Sequence, residues 1–180
     1  MRKVERGFTL IELLMVVAII GVIAAVAIPG LLRARMAGNE ASAIGSLRAI
    51  NEGEAAFHTS CGGGGYAVDL ADLVKPPSGG ANQQGFVSPD LGSNGVVKSG
   101  YTVTLAKDGA SSTMDVGSAA STCNASANTP ASSYYANADP VTPGSSGMRF
   151  FATDVRGTLF YSSAATVPNP IPTAALSVVQ

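Results

Sequence analysis

The sequence predicts an α+β fold in which a long N-terminal α-helix packs on a small antiparallel β-sheet. Three observations lead to this prediction. An apolar run over residues 8–32 is long enough for a helix that spans a membrane. An amphipathic pattern follows over residues 33–60. Short alternating segments, separated by Gly, Pro and Ser, fill most of residues 61–165.

The apolar run has 25 residues, from Phe8 to Leu32. A helix of this length crosses about 30 Å of hydrocarbon. Three basic residues precede the run, as in a secretory signal: Arg2, Lys3 and Arg6. The run is longer than that of an ordinary signal peptide and does not end in a usual A-x-A-like site. We therefore expect it to be retained as an anchor, with the N-terminus in the cytoplasm.

One acidic residue, Glu12, interrupts the apolar run. A charge in the membrane interior costs about 2.5–3.5 kcal/mol, so a residue of this kind is expected to have a partner. Within one chain, its carboxylate can neutralise the positive end of the helix dipole or a nearby N-terminal amine. The residues alone do not decide whether the partner belongs to the same chain.

The N-terminal stretch "RGFTLIELLMVVAIIGVIAAVAIP" resembles the cleavage signal and first helix of type IV pilins and the related pseudopilins. The resemblance is close over residues 6–35. In that family a prepilin peptidase cuts after the glycine and methylates the new N-terminus. The resemblance therefore implies a leader of residues 1–7, cleavage between Gly7 and Phe8, and N-methylation of Phe8.

The resemblance also implies a role for Glu12, which matches the family's glutamate five places into the mature chain. Glu12 of one subunit would bind the Phe8 amine of a neighbouring subunit during assembly. An unpaired charge in an apolar bundle is costly, so this pairing would select subunits in register. It would also reject chains that retain the leader.

Gly21 and Pro29 interrupt the predicted helix. Proline removes one backbone hydrogen bond and clashes with the carbonyl four residues earlier, which neighbouring helices compensate in membranes. We expect an ordinary kink here in the free subunit. The resemblance to pilins favours a second interpretation, in which residues 21–29 lose helix when subunits pack in a filament.

After residue 32 the pattern becomes amphipathic. Apolar residues recur at roughly helical spacing and would lie on the domain: Ile44, Leu47, Ile50 and Phe57. Charged residues lie between them: Arg33, Arg35, Glu40, Arg48, Glu52 and Glu54. The glycines at 62–65 are expected to end the helix.

Three or four antiparallel strands are predicted in the following domain. "GYTVTLAKDG" and "SSYYANADPV" are strand candidates, and "YAVDLADLV" is expected to form a short helical turn. The clearest hairpin pairs Met148–Thr153 with Thr158–Ser162. The Ser- and Thr-rich segment Gly109–Ser133 is interpreted as a surface loop, a site of O-glycosylation or a poorly ordered segment. Residues 166–180 are predicted to form an extended, exposed tail.

The two cysteines, Cys61 and Cys123, favour a disulfide in an exported domain. The chain-entropy model gives such a bond roughly 4 kcal/mol. Two buried free thiols are the alternative. A metal site that adds His58 would have only three ligands where structural zinc takes four, so we predict no metal.

Composition and motifs argue against catalysis and nucleic-acid binding. The net charge is −1, and the sequence contains no catalytic triad, dinucleotide fingerprint or run of metal ligands. We expect no enzymatic activity and no cofactor.

The resemblance implies a type IV pilus subunit, surrounded by inner-membrane lipid before assembly. Inner-membrane assembly machinery would polymerise it with copies of itself into an extracellular filament for adhesion, motility or DNA uptake. One alternative is a pseudopilin of a type II secretion system, against which the absence of tryptophan and of a dense acidic cluster argues. A membrane-anchored periplasmic binding domain is another, but it leaves the cleavage motif unexplained.

Overall fold

The computed structural model describes residues 7–78, 84–172 and 176–179. The basic residues that precede Gly7 lie outside this part of the chain. The chain divides into two compact units, Met1–Arg35 and Met36–Gln180. Helix α1 contributes residues 10–35, its N-terminal half, to the first unit and residues 36–60, its C-terminal half, to the second.

Helix α1 runs from Leu10 to Ser60 and ends just before the glycines, as the sequence predicts. The described residues of the second unit contain one further helix, two 3-10 turns and six strands. These elements are α2 (Leu70–Val74), the 3-10 turns Pro89–Leu91 and Ala119–Ser121, β1 (Val96–Lys98), β2 (Tyr101–Lys107), β3 (Tyr134–Pro140), β4 (Phe150–Asp154), β5 (Leu159–Ser162) and β6 (Ser177–Val178).

The six strands form one antiparallel sheet in the order β1-β2-β3-β4-β5-β6. This confirms the α+β prediction, although the sequence predicted three or four strands. The predicted strands correspond to β2, β3 and the β4–β5 hairpin, whose turn contains Gly157 at φ +70°. The two missed strands lie at the sheet edges and have only three and two residues, too few for an alternating pattern.

The C-terminal half of α1 packs on one face of the sheet. Its contacting side chains are apolar and almost completely buried: Ala43, Leu47, Ile50 and Phe57. They share a core with a row of side chains across the sheet, Val103, Ala138 and Phe151, which are paired in register on the neighbouring strands β2, β3 and β4. Full burial of a Leu, Ile or Phe side chain is worth about 1.5–3 kcal/mol, so this layer is a large part of the domain's stability.

The C-terminal segment covers part of the opposite face of the sheet. Val167 and Ile171 are 0% and 7% exposed, and they pack with Tyr135 and Ala152. The prediction of an exposed tail is wrong at these two positions, because the outer face of the sheet offers apolar side chains that the tail covers. Residues 173–175 and 180 lie outside the described part.

The Ser- and Thr-rich segment forms a loop that is bound to α2. Asp72, which is 1% exposed, accepts bonds from the backbone N–H of Ala127 at 2.6 Å and of Asn128 at 3.1 Å. Asn124 Nδ2 donates to the Asp72 carbonyl at 2.7 Å. The loop interpretation is therefore correct, and O-glycosylation stays a prediction.

Candidate functional site

The predicted scissile bond lies in a short non-helical segment before α1. Residues 7–9 have no helical or strand conformation, and Phe8 is 82% exposed. A Cβ added at Gly7 would meet nothing within 4 Å among the described residues. The fold of the described residues therefore does not require glycine at this position.

Thr9 and Glu12 bind each other at the start of α1. The Thr9 hydroxyl and backbone N–H both donate to Glu12 Oε2, at 2.6 and 3.0 Å, and the Glu12 N–H donates to Thr9 Oγ1 at 3.3 Å. This reciprocal pattern is a capping box, which satisfies N–H groups that lack a helical partner. Sequence reasoning missed the role of Thr9, although T-L-I-E before an apolar run is the sequence signature of this motif.

The N-terminal half of α1 exposes a continuous apolar surface. An 18-residue stretch of the helix is apolar enough to cross a membrane, and none of it is buried in the subunit. The large apolar side chains along this half are each 48–80% exposed: Leu10, Ile11, Leu13, Leu14, Met15, Val16, Val17, Ile19, Ile20, Val22, Ile23, Val26, Ile28, Leu31 and Leu32. A patch of this size is a site for lipid or protein contact.

Gly21 and Pro29 both lie inside α1, and the helix continues through them in this single chain. Pro29 has no N–H, so the carbonyl of Ala25 loses its helical hydrogen bond. A Cβ at Gly21 would meet nothing within 4 Å. The structure describes a single chain, so the loss of helix expected in a filament stays a prediction.

Polar side chains on the C-terminal half of α1 bind loops of the sheet domain. Asn39 Nδ2 donates to the Ser146 carbonyl at 2.9 Å. Asn51 Nδ2 donates to the Gly157 carbonyl at 3.3 Å, and Asn51 Oδ1 accepts from the Tyr134 hydroxyl at 3.0 Å. These bonds join the helix to the sheet domain on both sides of β4, since Ser146 precedes this strand and Gly157 follows it.

Two charged residues between the apolar positions of α1 are buried. Glu40, which is 8% exposed, accepts bonds from the Met148 N–H at 2.9 Å and from Arg149 Nε at 2.8 Å. Glu54 is 0% exposed. The sequence did place Glu54 four residues after Ile50 and three before Phe57, which is the spacing of a shared helix face.

The predicted disulfide between Cys61 and Cys123 is present, with the two Cα atoms 4.8 Å apart. It ties the end of α1 to the Ser- and Thr-rich loop. The adjoining glycines allow the chain to reverse, because Gly63 and Gly64 have φ of +61° and +88°. A Cβ at Gly62 would overlap the carbonyl oxygen of Gly65.

The comparisons with known proteins match the N-terminal part of the chain. A family model described as "Prokaryotic N-terminal methylation motif" covers residues 2–28. The type IV major pilin protein PilA of Myxococcus xanthus (strain DK1622) is 43% identical over 53 residues, which are 29% of this chain and 24% of that protein. The N-terminal part of the chain is thus similar to a prokaryotic methylation motif and to a type IV major pilin. No solved structure gives a significant match.

The chain matches about a quarter of the length of the curated pilin, and the family model ends at residue 28. The sheet domain described above lies outside that model.

The histidine of this chain is part of an aromatic contact. The His58 ring stacks on Tyr66, with centroids 4.5 Å apart and planes at 26°. The Cys61–Cys123 disulfide removes both sulfurs as metal ligands. In the part of the chain that the structure describes, no group of three or more His, Cys, Asp or Glu is placed to hold a metal ion.

Proposed function

We propose that this chain is the structural subunit of a bacterial type IV pilus. Inner-membrane lipid surrounds the N-terminal half of α1 first, with the N-terminus in the cytoplasm. Inner-membrane assembly machinery then polymerises the subunits into an extracellular filament that serves adhesion, motility or DNA uptake. The observation that carries the proposal is the exposed apolar surface of α1, which lipid and then a bundle of identical helices would cover.

Prepilin peptidase removes residues 1–7 by hydrolysing the peptide bond between Gly7 and Phe8, and Phe8 is then N-methylated. The exposed, non-helical backbone of residues 7–9 supports this step, because an enzyme can reach it without unwinding α1. The open space at the Gly7 Cβ position supports it too. The need for glycine then arises in the peptidase, which approaches the backbone closely.

The new Phe8 amine of one subunit binds Glu12 of its neighbour in the filament. In the described residues the capping box uses Oε2 of Glu12 and leaves Oε1 for this amine. The carboxylate therefore binds a neighbour without giving up Thr9. Charge-assisted bonds of this kind are strong in an apolar bundle, because either unpaired charge would be costly there.

Within the filament, residues 21–29 lose helical structure and allow the fibre to extend. The Ala25 carbonyl that Pro29 leaves without a helical bond supports this, because the helix has fewer bonds to lose there. Pro29→Ala is expected to give a straighter helix and a stiffer or unassembled filament. Unchanged extensibility under load would contradict this part of the proposal.

Mass spectrometry of filaments sheared from the cell surface tests the proposal. We expect this chain to be present and to begin at methylated Phe8. Its retention in the membrane fraction with residues 1–7 intact would overturn the pilin function. Its presence only in a short periplasmic filament would support the pseudopilin alternative, which the absence of tryptophan argues against.

A substitution at Glu12 tests the pairing. Glu12→Ala is expected to insert in the membrane and to be cleaved, but to enter filaments poorly. Glu52→Ala is the matched control, since Glu52 is an exposed glutamate on the same helix. Normal filament yield from Glu12→Ala would contradict the pairing.

A further inference from the structure

Glu54 has the burial of a core residue and the chemistry of an acid. Its side chain is 0% exposed, and carboxyl groups are rarely fully buried without a charged partner. Oε2 accepts a bond from the Ala67 N–H at 2.9 Å. Oε1 has no hydrogen-bond partner among the described residues.

None of the titratable groups beside Glu54 in the described residues forms an ion pair with its carboxyl group. Tyr134 on β3 is a phenol whose pKa is raised by burial and by the charge of Glu54, and Tyr66 in the adjoining loop is another phenol. His58, one turn later on α1, stacks on Tyr66. None of the five ion pairs found in the described residues involves Glu54. The charge of Asp154 also raises the pKa of Tyr134, and Asp154 is paired with Arg156.

We propose that Glu54 is a pH-sensitive latch, which as a neutral acid holds the loop of residues 61–69 on α1. As a carboxylate it favours opening of this contact to water, because the cost of burying the charge outweighs the stronger bond from the Ala67 N–H. An ionised carboxyl group needs several donors, and the site offers one backbone N–H. Ionisation therefore draws water between α1 and the loop. The opening stays local, because the disulfide at Cys61 and two backbone bonds between Tyr66 and Ala131, of 2.8 and 2.9 Å, hold the rest of the loop.

The direction of the pH dependence follows from burial. Desolvation raises the pKa of Glu54 well above the ordinary value of 4.5 and outweighs the Ala67 N–H bond, which lowers this pKa. The folded chain then holds this proton more tightly than the unfolded chain does. Stability is therefore greatest below pH 4.5 for this group and falls as the pH rises through the folded-state pKa.

Amide hydrogen exchange on the full chain in detergent micelles tests the latch. Protection factors, which correct for the intrinsic pH dependence of exchange, are measured for Ala67 between pH 5 and pH 9. Between pH 5 and the folded-state pKa we expect protection to fall by up to about tenfold per pH unit in the wild type, and to level off above that pKa. Glu54→Gln keeps an acceptor for the Ala67 N–H but does not ionise, so its protection is expected to change less than about twofold.

Glu52→Gln is the control, because Glu52 is exposed on the same helix and its loss should leave the wild-type pH response intact. An equal pH response in wild type and Glu54→Gln would overturn the latch. The ¹³C resonance of the Glu54 carboxyl carbon gives a second measurement on the unmutated chain. A midpoint well above 4.5 is expected, and titration near 4.5 would overturn the proposal even if Glu54→Gln failed to fold.

Discussion

The two halves of α1 use apolar side chains in opposite ways. In the C-terminal half they form one face, buried against the sheet, and Leu47 and Ile50 are 0% exposed. In the N-terminal half they surround the helix, and Leu14 and Ile20 are 57% and 59% exposed. The N-terminal half therefore adds little to the folding stability of the single chain. The C-terminal half supplies most of what α1 contributes to that stability.

Each half also carries a carboxyl group among apolar residues, and the two are satisfied differently. Glu12 bonds to Thr9, three residues before it on an exposed surface. Glu54 bonds to Ala67, thirteen residues after it in the core. The buried Glu54 therefore affects the stability of its own chain. The exposed Glu12 remains able to bind a group on another chain.

The largest expected difference between the halves comes from removing one leucine in each. Leu47→Ala leaves a cavity in the core and is expected to lower the free energy of unfolding by about 2–5 kcal/mol. Leu14→Ala is expected to change it by less than about 0.5 kcal/mol, since this side chain is exposed in the single chain. Denaturant unfolding of the full chain in micelles measures both. Equal losses would contradict the division of α1 into two halves.

Loss of the disulfide should affect only the C-terminal half. Replacing Cys61 and Cys123 together by serine is expected to lower the free energy of unfolding by about 4 kcal/mol, because the bond closes a long loop in the unfolded chain. Membrane insertion, measured by carbonate extraction, should be unchanged. Reduced insertion would show that the sheet domain supports the anchor.

Glu40 tests the bonds between the helix and the loop before β4. Glu40→Ala removes the acceptor of the Met148 N–H and of Arg149, and we expect a loss of about 1–3 kcal/mol, discounted for the partial exposure of Arg149. Glu40→Gln retains one acceptor and should lose less. The same unfolding assay on Glu12→Ala should show a smaller loss, limited to the capping box at the start of α1. A matching loss there would remove the contrast between Glu12 and Glu40.

The sequence predicted features with local causes. The extent of α1 follows from its hydrophobic pattern and its terminal glycines, and the β4–β5 hairpin follows from alternation around Gly157. The burial of Glu40 and Glu54 was missed because it depends on donors from distant segments, Met148 and Ala67. The packing of Val167 and Ile171 was missed for the same reason, since their partners lie on a sheet face that exists only after folding.

The smallest expected effect is at the capping box. Thr9→Ala removes the hydroxyl that binds Glu12 and should cost about 1 kcal/mol in the first turn of α1. Faster amide exchange near Leu13 in micelles is the expected result, with no change at the sheet. Thr9→Ser keeps a hydroxyl and should retain most of the protection. If Thr9→Ala exchanges like the wild type, the start of α1 does not depend on the bonds between Thr9 and Glu12. The N-terminal half would then have no internal partner for its acid, and the contrast with Glu54 would become sharper.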